Sequence, residues 1–226
     1  SYNERKNIIR KMWGNYGRIL SEYIFLKKFR ENKLKEFIEI KGLEFLKEIK
    51  KTNEQIIFIS GHFNNFELMA MEIDKADINL CAIYRPLNNP FLNVVMERIR
   101  KNYICKYQIK KGKSGTRELI ELLKKNFSVA LMIDQRVSEG ESVKFFNRSA
   151  KTTTIPAQLI KKYGFRVMPV YIERFKNFHF RLSFNKPIKF NKDFSNKQIS
   201  LELNKILEKM ILKNPDQWIW SHDRWK

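Results

Sequence analysis

Apolar residues recur at helical spacing through the first 25 positions, where Ile8, Ile9, Met12, Trp13, Tyr16, Ile19, Leu20, Tyr23 and Ile24 share one stripe. Arg5, Lys6, Arg10, Lys11 and Arg18 border it. The pattern predicts an amphipathic helix over roughly residues 1–30 packed on the body of the protein, with a helix lying on a membrane surface as the alternative. Beyond it, strand and helix patterns alternate. Phe37–Ile40 predicts a short strand ending at Gly42, and Leu43, Phe45, Leu46 and Ile49 mark the helix that follows. Ile56–Ile59 is a β-branched and aromatic run of the kind buried on both faces. Ser60-Gly61 breaks it, His62 follows at once, and Asn64 or Asn65 can cap a helix that carries Glu67 in its first turn and runs to about Asp74.

Further strands are predicted at Ile78–Tyr84, Ser128–Ile133, Val143–Phe146, Val167–Ile172 and Phe178–Phe184. Pro169 lacks an N–H, which argues for an edge strand or a bulge at 167–172. Helices are predicted from Pro90 to Tyr103, from Thr116 to Lys125, from the Thr152–Pro156 cap to Tyr163, and after the Ser195/Gln198 capping box up to Asn214-Pro215. Strands alternating with helices define the class as α/β, a central mixed but mostly parallel sheet flanked by helices, in a single domain over 1–226.

Composition changes this picture in two ways. The two cysteines, Cys81 and Cys105, have no metal or redox spacing, and no group of residues has the spacing of a metal site. The 45 Lys and Arg outnumber 24 Asp and Glu, a net charge of +21. That field suits an anionic partner: a membrane surface, a phosphorylated lipid, an acidic carrier protein or a nucleic acid. No recognisable nucleic-acid module is present, so no nucleic acid is expected. No apolar run reaches the roughly 20 residues that a membrane-spanning helix needs.

Three predicted strands end in a polar residue, His62, Arg85 and Asp134, and convergence of the three on one sheet edge defines the candidate site. A histidine at a strand end and a carboxylate one turn into the next helix can form a base and its orienter, so His62 and Glu67 are the candidate catalytic pair. Arg85 offers a planar fork suited to phosphate, or pairs with Asp134 structurally. Lys113 and Arg148 are further anion contacts, and Thr153 sits in a helix-opening turn whose N–H groups suit an anion. The loop Lys110–Gly115 is basic and glycine-punctuated but lacks the full spacing of a nucleotide phosphate loop. No serine or cysteine sits in a nucleophile elbow.

Several segments resemble one known family. Gly61-His62-Phe63-Asn64-Asn65-Phe66-Glu67 is similar to the G-H-F-G-N-W-E block of the lipid A late acyltransferases, within the lysophospholipid acyltransferase superfamily marked by His-x4-Asp/Glu. Tyr84-Arg85-Pro86-Leu87-Asn88-Asn89-Pro90 resembles their Y-R-P-x-x-N-P block, and Asp134-Gln135 with Ala150–Thr154 a third. The close, Pro215-Asp216-Gln217-Trp218-Ile219-Trp220-Ser221-His222-Asp223-Arg224-Trp225-Lys226, looks like the family's ending. Asn64 stands where the family has Gly, Phe66 where it has Trp, and Asn147 at a frequent Gly.

The resemblance implies transfer of a fatty acyl chain from acyl carrier protein to a hydroxyl of a lipid A precursor, a phosphorylated glycolipid. It also implies His62 and Glu67 as the dyad, and no cofactor beyond the acyl thioester. Arg85, Asp134, Arg148, Lys113 and Thr153 form the substrate-binding set, with Arg85 assigned to the acceptor phosphate or to the scaffold. The implied setting is the anionic cytoplasmic face of the bacterial inner membrane, the chain being the portion that follows the family's N-terminal membrane helix. An acyl-CoA-dependent enzyme on a phosphatidylinositol mannoside or lysophospholipid keeps the same fold. Trp218, Trp220 and Trp225 read as a terminal packing segment, and His222 is not assigned to catalysis.

Overall fold

The structure, a computed structural model, describes residues 1–226, the side chain of Lys113 excepted. In chain order the elements are α1 (Tyr2–Glu22), α2 (Leu26–Arg30), β1 (Ile38–Lys41), α3 (Leu43–Thr52), β2 (Ile56–Ser60), α4 (Glu67–Lys75), β3 (Leu80–Tyr84), α5 (Pro90–Ile99) and β4 (Tyr107–Lys110). They continue as α6 (Lys113–Lys124), β5 (Ser128–Met132), β6 (Glu141–Phe145), β7 (Arg148–Thr152), α7 (Ile155–Tyr163), β8 (Arg166–Lys176), β9 (His179–Phe184) and α8 (Asn196–Lys213).

Seven strands form one sheet in the order β1-β9-β8-β2-β5-β3-β4, and β6 pairs with β7 in a separate antiparallel hairpin. Only β8 and β9 run antiparallel within the large sheet. All five residues of β2 are buried, which is why Ile56–Ile59 reads as a continuous apolar run: helices cover both faces of a parallel sheet. Ile57, Phe58, Met168, Val129, Leu182 and Ile211 all belong to one apolar core that spans the sheet and its helices.

Four local expectations change. Pro169 lies in an interior strand rather than at an edge, between β2 and β9. It is tolerated because β8 changes partners there: pairing with β2 ends at Pro169, and pairing with β9 begins at Val170. The helix predicted to Tyr103 ends at Ile99 and widens into a π-helical turn over Arg100–Ile104. The second half of the basic loop is helical, since α6 starts at Lys113. Gly115 is required by packing there, because a Cβ would meet the Lys110 carbonyl oxygen at 1.8 Å. The short strands β4 and β7 carry no alternation that marked them in advance.

The N-terminal stripe packs along a narrow seam. Met12 and Ile19 are buried, whereas Ile9, Trp13, Tyr16, Leu20 and Ile24 remain exposed. α1 lies against the turn at Pro215–Gln217, where Asn15 donates to the Asp216 carbonyl at 3.2 Å. None of the described helices is long and apolar enough to cross a membrane.

Candidate active site

The site follows from strand order and register. β2, β5 and β3 lie side by side and parallel, so His62, Asp134 and Arg85 emerge at one edge of the sheet, beyond the carboxyl ends of three adjacent strands. In the β2–β5 ladder Ser60 pairs with Met132. Continuing that register by two residues brings His62 level with Asp134, 72 positions away in sequence. The ladder holds to its end, since Ile133 N–H donates to the Ser60 carbonyl at 3.0 Å. Gly61 permits the close approach: a Cβ there would lie 2.9 Å from Leu207 Cδ1 and 3.3 Å from Asp134 Cβ.

The Asp134 carboxylate is the hub. Its Oδ1 lies 2.8 Å from His62 Nδ1. Its Oδ2 accepts from the His62 backbone N–H at 2.8 Å and from the Trp218 indole N–H at 2.8 Å. Three donors on a carboxylate that is 2% exposed keep it ionised. Burial alone pushes its pKa up, and the His62 charge and these hydrogen bonds outweigh burial, leaving it below the ordinary Asp value. For His62 burial pushes the pKa down, but the charge and hydrogen bond of Asp134, with the more distant charge of Glu67, hold it above the ordinary histidine value. Nδ1–H directed at a carboxylate fixes the tautomer in which Nε2 carries the free lone pair. Phe66 packs edge-on against the imidazole with ring centroids 4.8 Å apart.

The expected partnership of His62 with Glu67 is thereby corrected: the carboxylate that orients the imidazole is Asp134. Glu67 opens α4 and turns away into a second buried cluster. Its Oε1 accepts from Arg100 Nε at 2.8 Å, from Arg100 Nη2 at 2.6 Å and from the Tyr23 hydroxyl. Burial works against the charge on Arg100, but Glu67 and Tyr23 outweigh it and raise its pKa. For Tyr23, burial and then the Glu67 charge push the phenol up, so it remains a donor. Arg100 comes from the π-helical turn after α5, and the added residue in that turn is the local feature that sets it apart from a surface helix position.

The motif loop is held down by the C-terminal segment. Phe63 pairs with Trp218 across an antiparallel bridge, Ile219 N–H donates to the His62 carbonyl at 3.2 Å, and Asn64 N–H donates to the Gln217 carbonyl at 3.2 Å. Asn64 has φ +40° and is buried, its side-chain amide donating to Gln217 Oε1. Asparagine tolerates that conformation better than most residues, and the contact with Gln217 holds the side chain in place. Arg224 anchors the far end: it is buried and donates to the Lys151 carbonyl at 2.6 Å and to Thr152 Oγ1 at 2.7 Å.

The other expected binding residues divide. Arg85 is exposed at the catalytic edge and forms no ion pair with Asp134, so the structural pairing considered for it is not what holds Asp134. Asp134 is buried within the imidazole pair and is not placed to contact substrate as a surface group. Arg148 lies over the Trp225 ring, 5.5 Å from its centroid. Thr153 Oγ1 accepts from Ile155 N–H at 3.4 Å, a local turn contact. The Lys113 side chain lies outside the described residues. Trp218, expected to serve packing in the terminal aromatic block, also donates its indole N–H to the Asp134 carboxylate. His222 Nε2 accepts from the Arg136 backbone N–H at 2.9 Å, and burial lowers its pKa. Among the described residues no cluster of His, Cys, Asp and Glu could hold a metal ion.

The fold and site together define an α/β protein whose mostly parallel sheet carries a carboxylate-held histidine beyond the carboxyl ends of its central strands. The family described as bacterial lipid A biosynthesis acyltransferase matches residues 1–226. The chain is 26% identical over 235 residues to the lipid A biosynthesis palmitoleoyltransferase of Escherichia coli K12, covering 100% of this chain and 74% of that protein. It is 23% identical over 232 residues to the lipid A biosynthesis lauroyltransferase of the same organism, with 100% and 74% covered. For the myristoyltransferase the identity is 20% over 220 residues, with 96% and 68% covered. The chain belongs to the bacterial lipid A biosynthesis acyltransferase family and is an acyltransferase enzyme.

Proposed function

We propose that this enzyme transfers a fatty acyl chain from an acyl carrier protein thioester to a hydroxyl of a lipid A precursor, with His62 as general base and no acyl-enzyme. The observation that carries the mechanism is the imidazole whose Nδ1 is tied to Asp134, leaving Nε2 unencumbered. An alcohol has too high a pKa to attack unaided. Nε2 takes the hydroxyl proton as the oxygen adds to the thioester carbonyl. Asp134 offsets the positive charge that develops on the ring. Collapse of the tetrahedral intermediate expels the thiolate, which recovers the proton from the imidazolium, giving an ester and a free thiol. Glu67 acts at one remove: bound to Arg100 and Tyr23, it fixes the start of α4 and adds a negative field that favours the imidazolium.

Arg85 is assigned to the acceptor phosphate, on the grounds of its exposure and its place on the same edge. The net charge of +21 suits an acidic carrier protein, a phosphorylated glycolipid and the anionic cytoplasmic face of the inner membrane. The test is acyl transfer by the purified protein from radiolabelled lauroyl-acyl carrier protein or lauroyl-CoA to a purified lipid A precursor. His62→Ala is expected to lower turnover about 10²–10⁴-fold in a protein that stays folded, with some loss of melting temperature because buried Asp134 loses a donor. Near-full turnover in that variant removes the base from the mechanism, and preference for the CoA thioester removes the carrier protein as donor.

A further inference from the structure

A cavity lies apart from the His62–Asp134 edge, between α1, α2 and the β8–β9 hairpin, and is lined by neither of those residues. Its volume is about 600 Å³, inside the roughly 300–1,000 Å³ range of small-molecule sites. The walls are aromatic: Phe29 and Phe180 are buried at the floor, and Phe25 and Phe178 stand exposed at the mouth. Cations are set among the rings. Arg18 and Lys28 line the cavity from the surface. Arg174, at the end of β8, is buried with a side-chain exposure of 5%.

Arg174 is incompletely satisfied where it stands. Nη1 donates to the Asn177 carbonyl at 3.1 Å, and the guanidinium carbon lies 4.5 Å from the centre of the Phe180 ring. Nη2 pairs with Glu22 Oε1 at 2.7 Å, and Nε has no partner among the described residues. A buried guanidinium with an unused donor is costly unless an acceptor reaches it. Glu22 is the sole acid lining the cavity, against three cations, and it also accepts from the Asn65 amide at 3.1 Å. Burial raises its pKa despite Arg174, so its charge is more easily lost than that of an ordinary glutamate.

We propose that this cavity binds an anionic amphiphile: a carboxylate or phosphate head at Arg174 and Arg18, and a fatty chain against the Phe29, Phe180 and Phe178 rings. The proposal stands independently of the chemistry at His62. A neutral lipid of the same length offers no counter-charge to Arg18, Lys28 and Arg174, so the site discriminates by charge. Phosphate and carboxylate heads share this recognition, and which one is favoured is an experimental outcome.

The test is calorimetric titration of the full chain with sodium laurate and dodecyl phosphate below their micellar concentrations, and with dodecanol below its solubility limit. Saturable one-to-one binding of either anion, about tenfold or more tighter than dodecanol, is expected. The tighter anion identifies the head group. Arg18→Glu with Lys28→Glu, and separately Phe178→Asp, change exposed positions and are expected to weaken that binding about tenfold or more without loss of fold. His62→Ala is expected to bind as wild type, which separates this site from the acyl-transfer reading. Equal affinity for dodecanol, no saturable binding of either anion, or unchanged binding in the folded rim variants overturns the proposal.

Discussion

Asp134→Asn is the most informative single change, because it keeps shape and removes charge. The wild-type carboxylate accepts three hydrogen bonds, two at Oδ2 and one at Oδ1. Asparagine has one acceptor atom and one donor atom in their place. Placing the amide oxygen at the Oδ2 position retains the bonds from His62 N–H and Trp218. The amide NH2 then faces Nδ1, which must become an acceptor, so the ring proton moves to Nε2 and the proposed base loses its lone pair there. In a serine protease triad the same exchange costs about 10⁴ in kcat, so a fall of roughly 10²–10⁴-fold is expected here.

The pH profile gives a second, independent reading. With His62 as the proposed base, turnover needs neutral imidazole, and because the pKa of His62 lies above the ordinary value the rate is expected to rise with pH through a midpoint displaced upward. Without the Asp134 charge, burial acts with less opposition and the midpoint of the residual activity moves to lower pH. The stability loss is that of a poorly met buried group, about 1–3 kcal/mol, and thermal unfolding checks that the fold persists. The assay is initial-rate acyl transfer from the labelled thioester across pH 6–10. A variant with kcat within a few-fold of wild type and an unmoved midpoint refutes the assignment of Asp134 as the orienting carboxylate.

Glu67→Gln leaves the Arg100 charge buried without its counter-ion, so a loss of about 3–5 kcal/mol and a lowered melting temperature are expected; an unchanged melting temperature contradicts the clustering. Trp218→Phe preserves the ring and removes one donor to Asp134. A destabilisation of about 1.5–3 kcal/mol with a smaller kcat loss than Asp134→Asn is expected from denaturant titration and initial rates. Arg85→Gln touches an exposed side chain, so it should raise the KM for the phosphorylated acceptor about tenfold with little change in melting temperature; a KM unaltered for that acceptor removes Arg85 from recognition.

Local chemistry was legible wherever it is set by neighbours in the chain. The run Ile56–Ile59, the break at Ser60-Gly61, the capping box of Ser195 with Gln198 and the proline start of α5 all lie where the pattern puts them. The short strand β4 was not legible, because four residues at the sheet margin carry too little alternation to distinguish them from a loop. Pro169 misled for a related reason: its missing N–H matters only where a partner strand would have received it, and the change of ladder at that residue is a tertiary fact.

Sequence by itself determined that His62 stands at a strand-to-helix corner, with Glu67 beginning the helix. It also determined that Arg85 and Asp134 end strands of their own. Tertiary structure alone decided which carboxylate meets the imidazole. Parallel pairing of β2 with β5 is a nonlocal choice, and its register sets Asp134 beside His62 across 72 residues of chain, while the widened turn after α5 draws Glu67 to Arg100. Glu67, though near in sequence, does not meet the imidazole, because a helix start carries its first side chain away from the strand edge, whereas neighbouring parallel strands deliver theirs to the same level.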